Sequence, residues 1–234
     1  MANILAIDTS SAWCSVALSL DNQAPELRHE AVSAGASQLL LPWIESLLIN
    51  AKISLKDLDA IAVGIGPGAF TGVRLGVAAV QGLAISNNLP VIPVSSLDAI
   101  ASQLVKTPAF QKTNAKEFVI AIDARMEEVY WTRYQIQSDQ LPKRVGDIHL
   151  TKPEDITLKG VDYLAGSAIG SYKERLPSFN GGLDSDIGIS ALGLMECAKH
   201  LYVEGMAQDV RQLEPLYVRN KVALTTAERT EAFK

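Results

Sequence analysis

Gly64-Ile65-Gly66-Pro67-Gly68-Ala69-Phe70-Thr71-Gly72-Val73-Arg74-Leu75-Gly76 is the stretch that decides the fold class. The apolar run Ala60 to Val63 leads into it, and a longer one, Val73 to Ile85, leads out. That order is strand, glycine turn, helix, the repeating unit of an α/β fold. Glycines in such a turn let the backbone approach a neighbour closely, and the helix start offers unpaired N–H groups to an anion or a peptide surface. A phosphate-binding P-loop is excluded, because no Gly-Lys-Ser/Thr follows. A dinucleotide fingerprint is met in form by Gly64, Gly66 and Ala69. It needs an acid about 20 residues on to hold a ribose, and no Asp or Glu occurs between Ala69 and Leu97. A tight strand–helix turn that requires glycine is the reading left standing.

Working outward, Ile4-Leu5-Ala6-Ile7-Asp8 is echoed by Val119-Ile120-Ala121-Ile122-Asp123. Each string opens a hairpin pattern, continuing into Cys14–Leu20 in the first case and Val129–Ile136 in the second. Each half then carries a strand, a glycine turn and a helix: Ala60–Gly72, and Tyr163 to Gly170. Two lobes of like topology follow, assigned to residues 1–106 and 107–234. Helices are expected over Ser37–Ala51, with Pro42 as a kink, and over Thr71–Ser86, Ser96–Val105 and Ser190–Val203. A short last helix, Thr225–Phe233, is expected to pack back on the first lobe. Pro90–Val94 reads as a strand. Thr107 to Lys116 reads as a polar link, Leu141 to Lys159 as irregular, and Phe179 to Asp186 as a loop. Glu214-Pro215-Leu216-Tyr217-Val218-Arg219 reads as an extended segment crossing back between the lobes.

The 234 residues are 48% hydrophobic and 20% charged, enough to bury a full core. No apolar run reaches the roughly 18–20 uninterrupted residues of a membrane span. The first residues lack a basic region and Asp8 interrupts them, so no signal peptide is expected. Two distant cysteines, Cys14 and Cys197, form no CxxC pair, and reduced thiols in a cytoplasmic protein are expected. The net charge of −5, with 21 scattered basic residues, argues against holding a nucleic acid alone.

Candidate chemistry is sparse. Asp8, Thr9, Ser10 and Asp123 are the nucleotide-binding candidates, since they sit where the hairpins turn. Neither turn carries the glycine that lets backbone N–H groups reach phosphate, so turn-capping aspartates are the competing reading. His29, His149 and His200 are isolated, and no local spacing assembles a metal site. No Gly-x-Ser-x-Gly elbow is present. No catalytic residue and no metal ligand is assigned. The two first-lobe helices are the anomaly. Ser37–Ala51 is apolar nearly all round, whereas a surface helix carries a stripe of about 100°. Thr71–Ser86 holds one charge, Arg74, which either caps a local carbonyl or bonds across an interface. Such helices are core elements or are covered by a partner. On the second reading, Leu40, Leu41, Ile44, Leu47, Leu48, Thr71, Arg74, Leu75, Val77, Ala78 and Gln81 form the partner surface.

The form Gly-Pro-Gly-Ala-Phe-Thr-Gly-Val-Arg at 66–74, with Ile4–Asp8, Ser37–Leu48 and the Pro-x-Tyr-x-Arg ending at 215–219, resembles the bacterial TsaB (YeaZ) family. The resemblance covers nearly the whole chain. It implies two lobes of duplicated actin/Hsp70-like (ASKHA, ribonuclease H-like) topology. It also implies a non-catalytic subunit that binds and stabilises the catalytic paralogue TsaD. That enzyme transfers threonylcarbamoyl to N6 of adenosine 37 in tRNAs reading ANN codons. Where TsaD carries a His-x-x-x-His metal motif, Ser96 and Ile100 stand here. The resemblance further implies the ATPase TsaE as third member, tRNA contact only through the complex, and a homodimer when alone. It implies no cofactor of the chain's own, with ATP or ADP held at the junction with the partner. An independent ATPase or kinase of the actin/Hsp70 superfamily is the alternative, and a glycoprotease-like (M22) peptidase a lesser one.

Overall fold

The computed structural model describes residues 2–21, 23–32, 35–138 and 140–219. Two five-stranded sheets organise the chain. In the first, β1 (Ile4–Asp8), β2 (Trp13–Ser19), β3 (Glu26–Ala31), β4 (Ala60–Gly66) and β5 (Val91–Ser95) lie in the order β3-β2-β1-β4-β5. In the second, β6 (Glu117–Asp123), β7 (Val129–Gln135), β8 (Lys143–Thr151), β9 (Tyr163–Ala165) and β10 (Gly182–Asp184) lie in the order β10-β9-β6-β7-β8. Read from the other edge, the second order is the first repeated. Each begins with an antiparallel meander and continues with two parallel strands. The chain is therefore a two-lobed α/β fold of duplicated actin/Hsp70-like topology. The echoed strings Ile4–Asp8 and Val119–Asp123 are the central strands of the two sheets. They are apolar because a central strand is covered on both faces.

Helices α1 (Ala36–Ala51) and α2 (Phe70–Asn87) cover the outer face of the first sheet. Their buried residues, including Leu40, Leu47, Val77 and Val80, meet Leu5, Ile7, Val16, Ile61 and Val63 from the strands. Helices α3 (Ser96–Leu104) and α6 (Ala191–Val203) follow the last strand of each sheet and pack together in the core between the sheets. Gly193 of α6 lies against the carbonyl of Ala99, too close to admit a Cβ. Ser102 Oγ bonds the carbonyls of both Ala99 and Gly193, at 2.9 Å each. Helix α6 is capped in trans: Ser15 Oγ on β2 accepts from Ala191 N at 2.8 Å. Helix α4 (Pro108–Gln111), capped by Thr107, lies in the polar link, and α5 (Ala168–Tyr172) covers the second sheet with Ile156. Helix α1 runs unbroken through Pro42, whose ring is on the solvent side.

Three expectations need correction. Leu141 to Lys159 is not irregular: it contains the nine-residue strand β8, paired with β7 from Gln135↔Lys143 to Val129↔Thr151 across a bulge. Phe179 to Asp186 is not only a loop, since Gly182–Asp184 is β10. Strand β3 was not foreseen at all. All three are sheet edges whose side chains face water, so they read as polar, without the apolar alternation of inner strands. The proposed last helix, Thr225–Phe233, lies outside the described residues. No helix among the described residues is long and apolar enough to cross a membrane.

Candidate functional site

The glycine loop between β4 and α2 packs on the Asp8–Ser10 turn of its own lobe. Ala69 N donates to Ser10 O at 2.7 Å, and Thr9 Oγ1 donates to Gly72 O at 2.7 Å. A Cβ on Gly64, Gly68 or Gly72 would collide with the Asp8 carboxylate, the Ser10 carbonyl or the Thr9 carbonyl respectively. On Gly76 it would lie 2.9 Å from Thr9 Oγ1. These glycines serve close approach between two backbone segments. Of the N–H groups in this loop, Ala69 N is spent on Ser10 O.

Asp8 is fully buried beneath Gly64. One carboxylate oxygen accepts from Ser10 N at 3.2 Å, and the other has no partner among the described residues. Burial pushes the carboxyl up to about 7. Asp123 is the counterpart in the second lobe. It accepts from Arg125 N (2.8 Å), the Tyr172 hydroxyl (2.8 Å) and Ser171 Oγ (3.4 Å), and pairs with Arg125 at 3.2 Å. Both aspartates thus bond the backbone two residues on, as turn formers do. A cleft of about 870 Å³ separates the lobes. Ser10 and Asp123 line it, together with Trp13, Phe70, Arg74, Arg125 and Tyr217, but Asp8 and Thr9 do not. Of the nucleotide candidates, Ser10 and Asp123 line the cleft, while Asp8 is buried beneath Gly64 and Thr9 Oγ1 is engaged with Gly72 O.

The turn joining β6 to β7 is strained. Arg125, Met126 and Glu127 have φ of 60°, 55° and 61°, three successive non-glycine residues in the left-handed region. Each costs about 1–2 kcal/mol relative to the right-handed form. The extended segment 213–219 crosses from the first lobe to this turn. Leu216 N donates to Ile65 O at 2.8 Å, and Arg219 donates to Ala124 O at 3.2 Å and pairs with Glu128 at 2.6 Å. The sequence marked this segment as a crossing and gave no sign of its anchors.

Among the described residues, no three His, Cys, Asp or Glu are grouped to hold a metal. His29 bonds Ser15 Oγ at 2.9 Å, His149 lies against the Trp131 ring, and His200 meets Glu204 at 3.1 Å. Ser96 Oγ bonds Ser10 Oγ at 3.1 Å, while Ile100 is buried in the core between the sheets. Burial pushes the Cys14 and Cys197 thiols up to about 11 and about 12, which leaves them protonated and inert at neutral pH.

The outer helical layer divides the expected partner surface. Leu40, Ile44, Leu47, Leu48 and Val77 are buried in the core against the first sheet, so as surface residues they are corrected. Gln81 Nε2 is bound to Leu213 O at 3.0 Å. Arg74 caps the local Phe70 carbonyl at 3.1 Å, and its guanidinium carbon lies 3.3 and 5.0 Å from the Phe70 and Tyr217 ring centroids. Leu41, Thr71 and Ala78 are exposed, and Leu75 is half-buried. Thr71, Leu75, Ala78, Gly82 and Ile85 form one uncharged stripe along α2, opposite the buried Val73, Val77, Val80 and Ala84. Ile85 is 60% exposed, and Ile49 on α1 is 65% exposed. Phe70, Gly82, Ile85 and Ile49 were missed. For Gly82 and Ile85 on α2 the signal was the i, i+4, i+7, i+11 valine–alanine stripe from Val73 to Ala84, which fixes the inward face once β4 is placed; it says nothing of Ile49 on α1.

Comparison with known proteins agrees with this geometry. The family model described as TsaD, tRNA N6-adenosine threonylcarbamoyltransferase, matches residues 29–210. The tRNA threonylcarbamoyladenosine biosynthesis protein TsaB of Escherichia coli (strain K12) is 36% identical over 228 residues, spanning 94% of this chain and 96% of its own. The protein of the same name from Haemophilus influenzae is 34% identical over 94% of both chains. The structure described as YeaZ from Pseudomonas aeruginosa superposes with a TM-score of 0.83 at 37% identity, over 93% of this chain and all of the other. With its duplicated sheets, glycine loop and full-length relatives, the chain belongs to the TsaB (YeaZ) family.

Proposed function

We propose that this chain is a non-catalytic subunit in the threonylcarbamoylation of N6 of adenosine 37 in tRNAs reading ANN codons. It binds and stabilises the catalytic TsaD protein through the outer face of α1 and α2. The observation that carries this reading is the uncharged stripe Thr71, Leu75, Ala78, Gly82 and Ile85, with Leu41 and Ile49 exposed on α1. Exposed apolar surface of this kind marks interaction sites, and small residues let a partner helix approach closely. The names of the full-length relatives support the pathway. The match to a TsaD model supports a partner built on the same plan. Two such partners can bring like helical faces together, and the same face would serve a homodimer when the partner is absent. TsaE, with ATP or ADP at the subunit junction, completes the assembly, and tRNA is reached through the complex. The chain itself works in the cytoplasm.

The test is reconstitution of threonylcarbamoyladenosine formation with tRNA, ATP, threonine, bicarbonate, the adenylate-forming enzyme, TsaD and TsaE, with and without this chain. Product that depends on the chain, and is lost with Ala78→Glu, supports the reading. Product indifferent to the chain overturns it. The alternative, an independent ATPase or kinase, requires saturable ATP binding that Asp123→Ala abolishes. Isothermal titration decides it.

A further inference from the structure

We propose that residues 215–219 are a latch that holds the two lobes in register and couples the start of α2 to the strained turn of the second lobe. The segment is fastened at three points. Leu216 N donates to Ile65 O at 2.8 Å, beside the glycine loop. The Tyr217 ring centroid lies 5.0 Å from the Arg74 guanidinium carbon, which also lies 3.3 Å from that of Phe70. Arg219, only 14% exposed, pairs with Glu128 at 2.6 Å and donates to Ala124 O at 3.2 Å.

The far end of the latch grips a segment that has a lower-energy conformation to go to. Three successive left-handed residues, Arg125 to Glu127, persist only where their surroundings hold them. Ala124 N–Glu128 O (2.9 Å) and Glu128 N–Arg125 O (3.1 Å) close the hairpin from within. Arg219 supplies the clamp from outside. Without it, Glu128 loses its cation and the turn relaxes toward right-handed geometry. Asp123 to Arg125 and Pro67 to Arg74 line opposite sides of the same cleft, so release of the latch changes the cleft opening. The near end rests on Arg74 and Phe70 at the start of α2, whose exposed face is the proposed docking site. The coupling rests on that reading. A partner that seats on α2 displaces the Arg74–Tyr217 stack, and the displacement reaches the turn through Arg219.

Hydrogen exchange by mass spectrometry on the full chain tests both parts. In the free protein, Arg219→Ala and Glu128→Gln are expected to raise exchange of the 123–129 amides at least tenfold, with β1 and β4 unchanged as the control for folding. Unchanged exchange in the turn overturns the latch. With the proposed catalytic partner bound, the wild-type turn is expected to change its exchange severalfold, and Tyr217→Ala to bind without that change. Protection of α2 with no response at the turn overturns the coupling and leaves the docking reading intact. No complex at all overturns the docking reading and the coupling together, while the free-protein result still decides the latch.

Discussion

Thr9 and Gly72 are joined twice: the Thr9 hydroxyl donates to the Gly72 carbonyl at 2.7 Å, and the Gly72 Cα lies against the Thr9 carbonyl oxygen. The first strand's turn and the glycine loop are thereby one packed unit. Gly72→Ala drives a Cβ into that carbonyl and is expected to lose about 2–4 kcal/mol, within the range of severe steric substitutions. Gly82→Ala is the contrast. It meets nothing within 4 Å on an exposed helix face, and should gain about 0.5–1 kcal/mol. Chemical denaturation of both variants checks the pair.

Leu47 and Ala78 separate core from surface. Leu47 is fully buried, and Leu47→Ala should cost about 2–5 kcal/mol. Ala78→Glu and Leu41→Glu place a charge on the exposed face and should leave stability within about 0.5 kcal/mol. Sedimentation should show self-association and TsaD binding lost in the two surface variants, with their melting transitions still cooperative.

Asp8 makes stability fall as pH rises. Its carboxyl titrates near 7 in the folded chain against an ordinary value of 3.8, so the folded protein holds an extra proton between those values. Stability from this group is full below about pH 4 and declines through pH 7, by an amount on the order of 4 kcal/mol at most. Asp8→Asn cannot ionise. Urea unfolding at pH 5 and pH 8 should show the variant gaining on the wild type as pH rises. A constant difference would mean that the buried carboxyl is ionised throughout.

Tyr134 ties the second sheet to α3. Its hydroxyl donates to Asp98 at 2.7 Å, and Arg144 lies 3.5 Å from the same carboxylate. Tyr134→Phe leaves a half-buried carboxylate short of a donor, with Arg144 still beside it, and should cost about 1 kcal/mol. Calorimetry on the variant reads the cost directly.

The central strands were legible because burial on both faces leaves only apolar residues to choose from, as in Ile4–Ile7 and Val119–Ala121. The glycine loop was legible because close backbone approach admits no other residue at Gly68 or Gly72. The edges were not. Lys143-Arg144-Val145-Gly146-Asp147 is a strand only because β7 offers it a ladder, which no local pattern announces. The partner surface was half legible. With a single charged residue each, Glu45 on α1 and Arg74 on α2, the two helices have no broad polar face to mark their outside, so the buried Leu40 and the exposed Ala78 looked alike until the sheet fixed the inward side of each helix. The grip of Arg219 on Glu128 joins residues far apart in sequence, and nothing near either one foretells it.

Duplication has not been even-handed. Where the first lobe has α1, the second has a single 3-10 turn at Pro153–Asp155, and where the first has the 18-residue α2, the second has the 5-residue α5. Among the described residues, only one end of the molecule therefore carries a helical layer broad enough to join another. Used as a joint, that layer gives the chain a valence of one. On the proposed reading that joint closes a pair, with a second copy or with the catalytic partner, and one pairing would exclude the other.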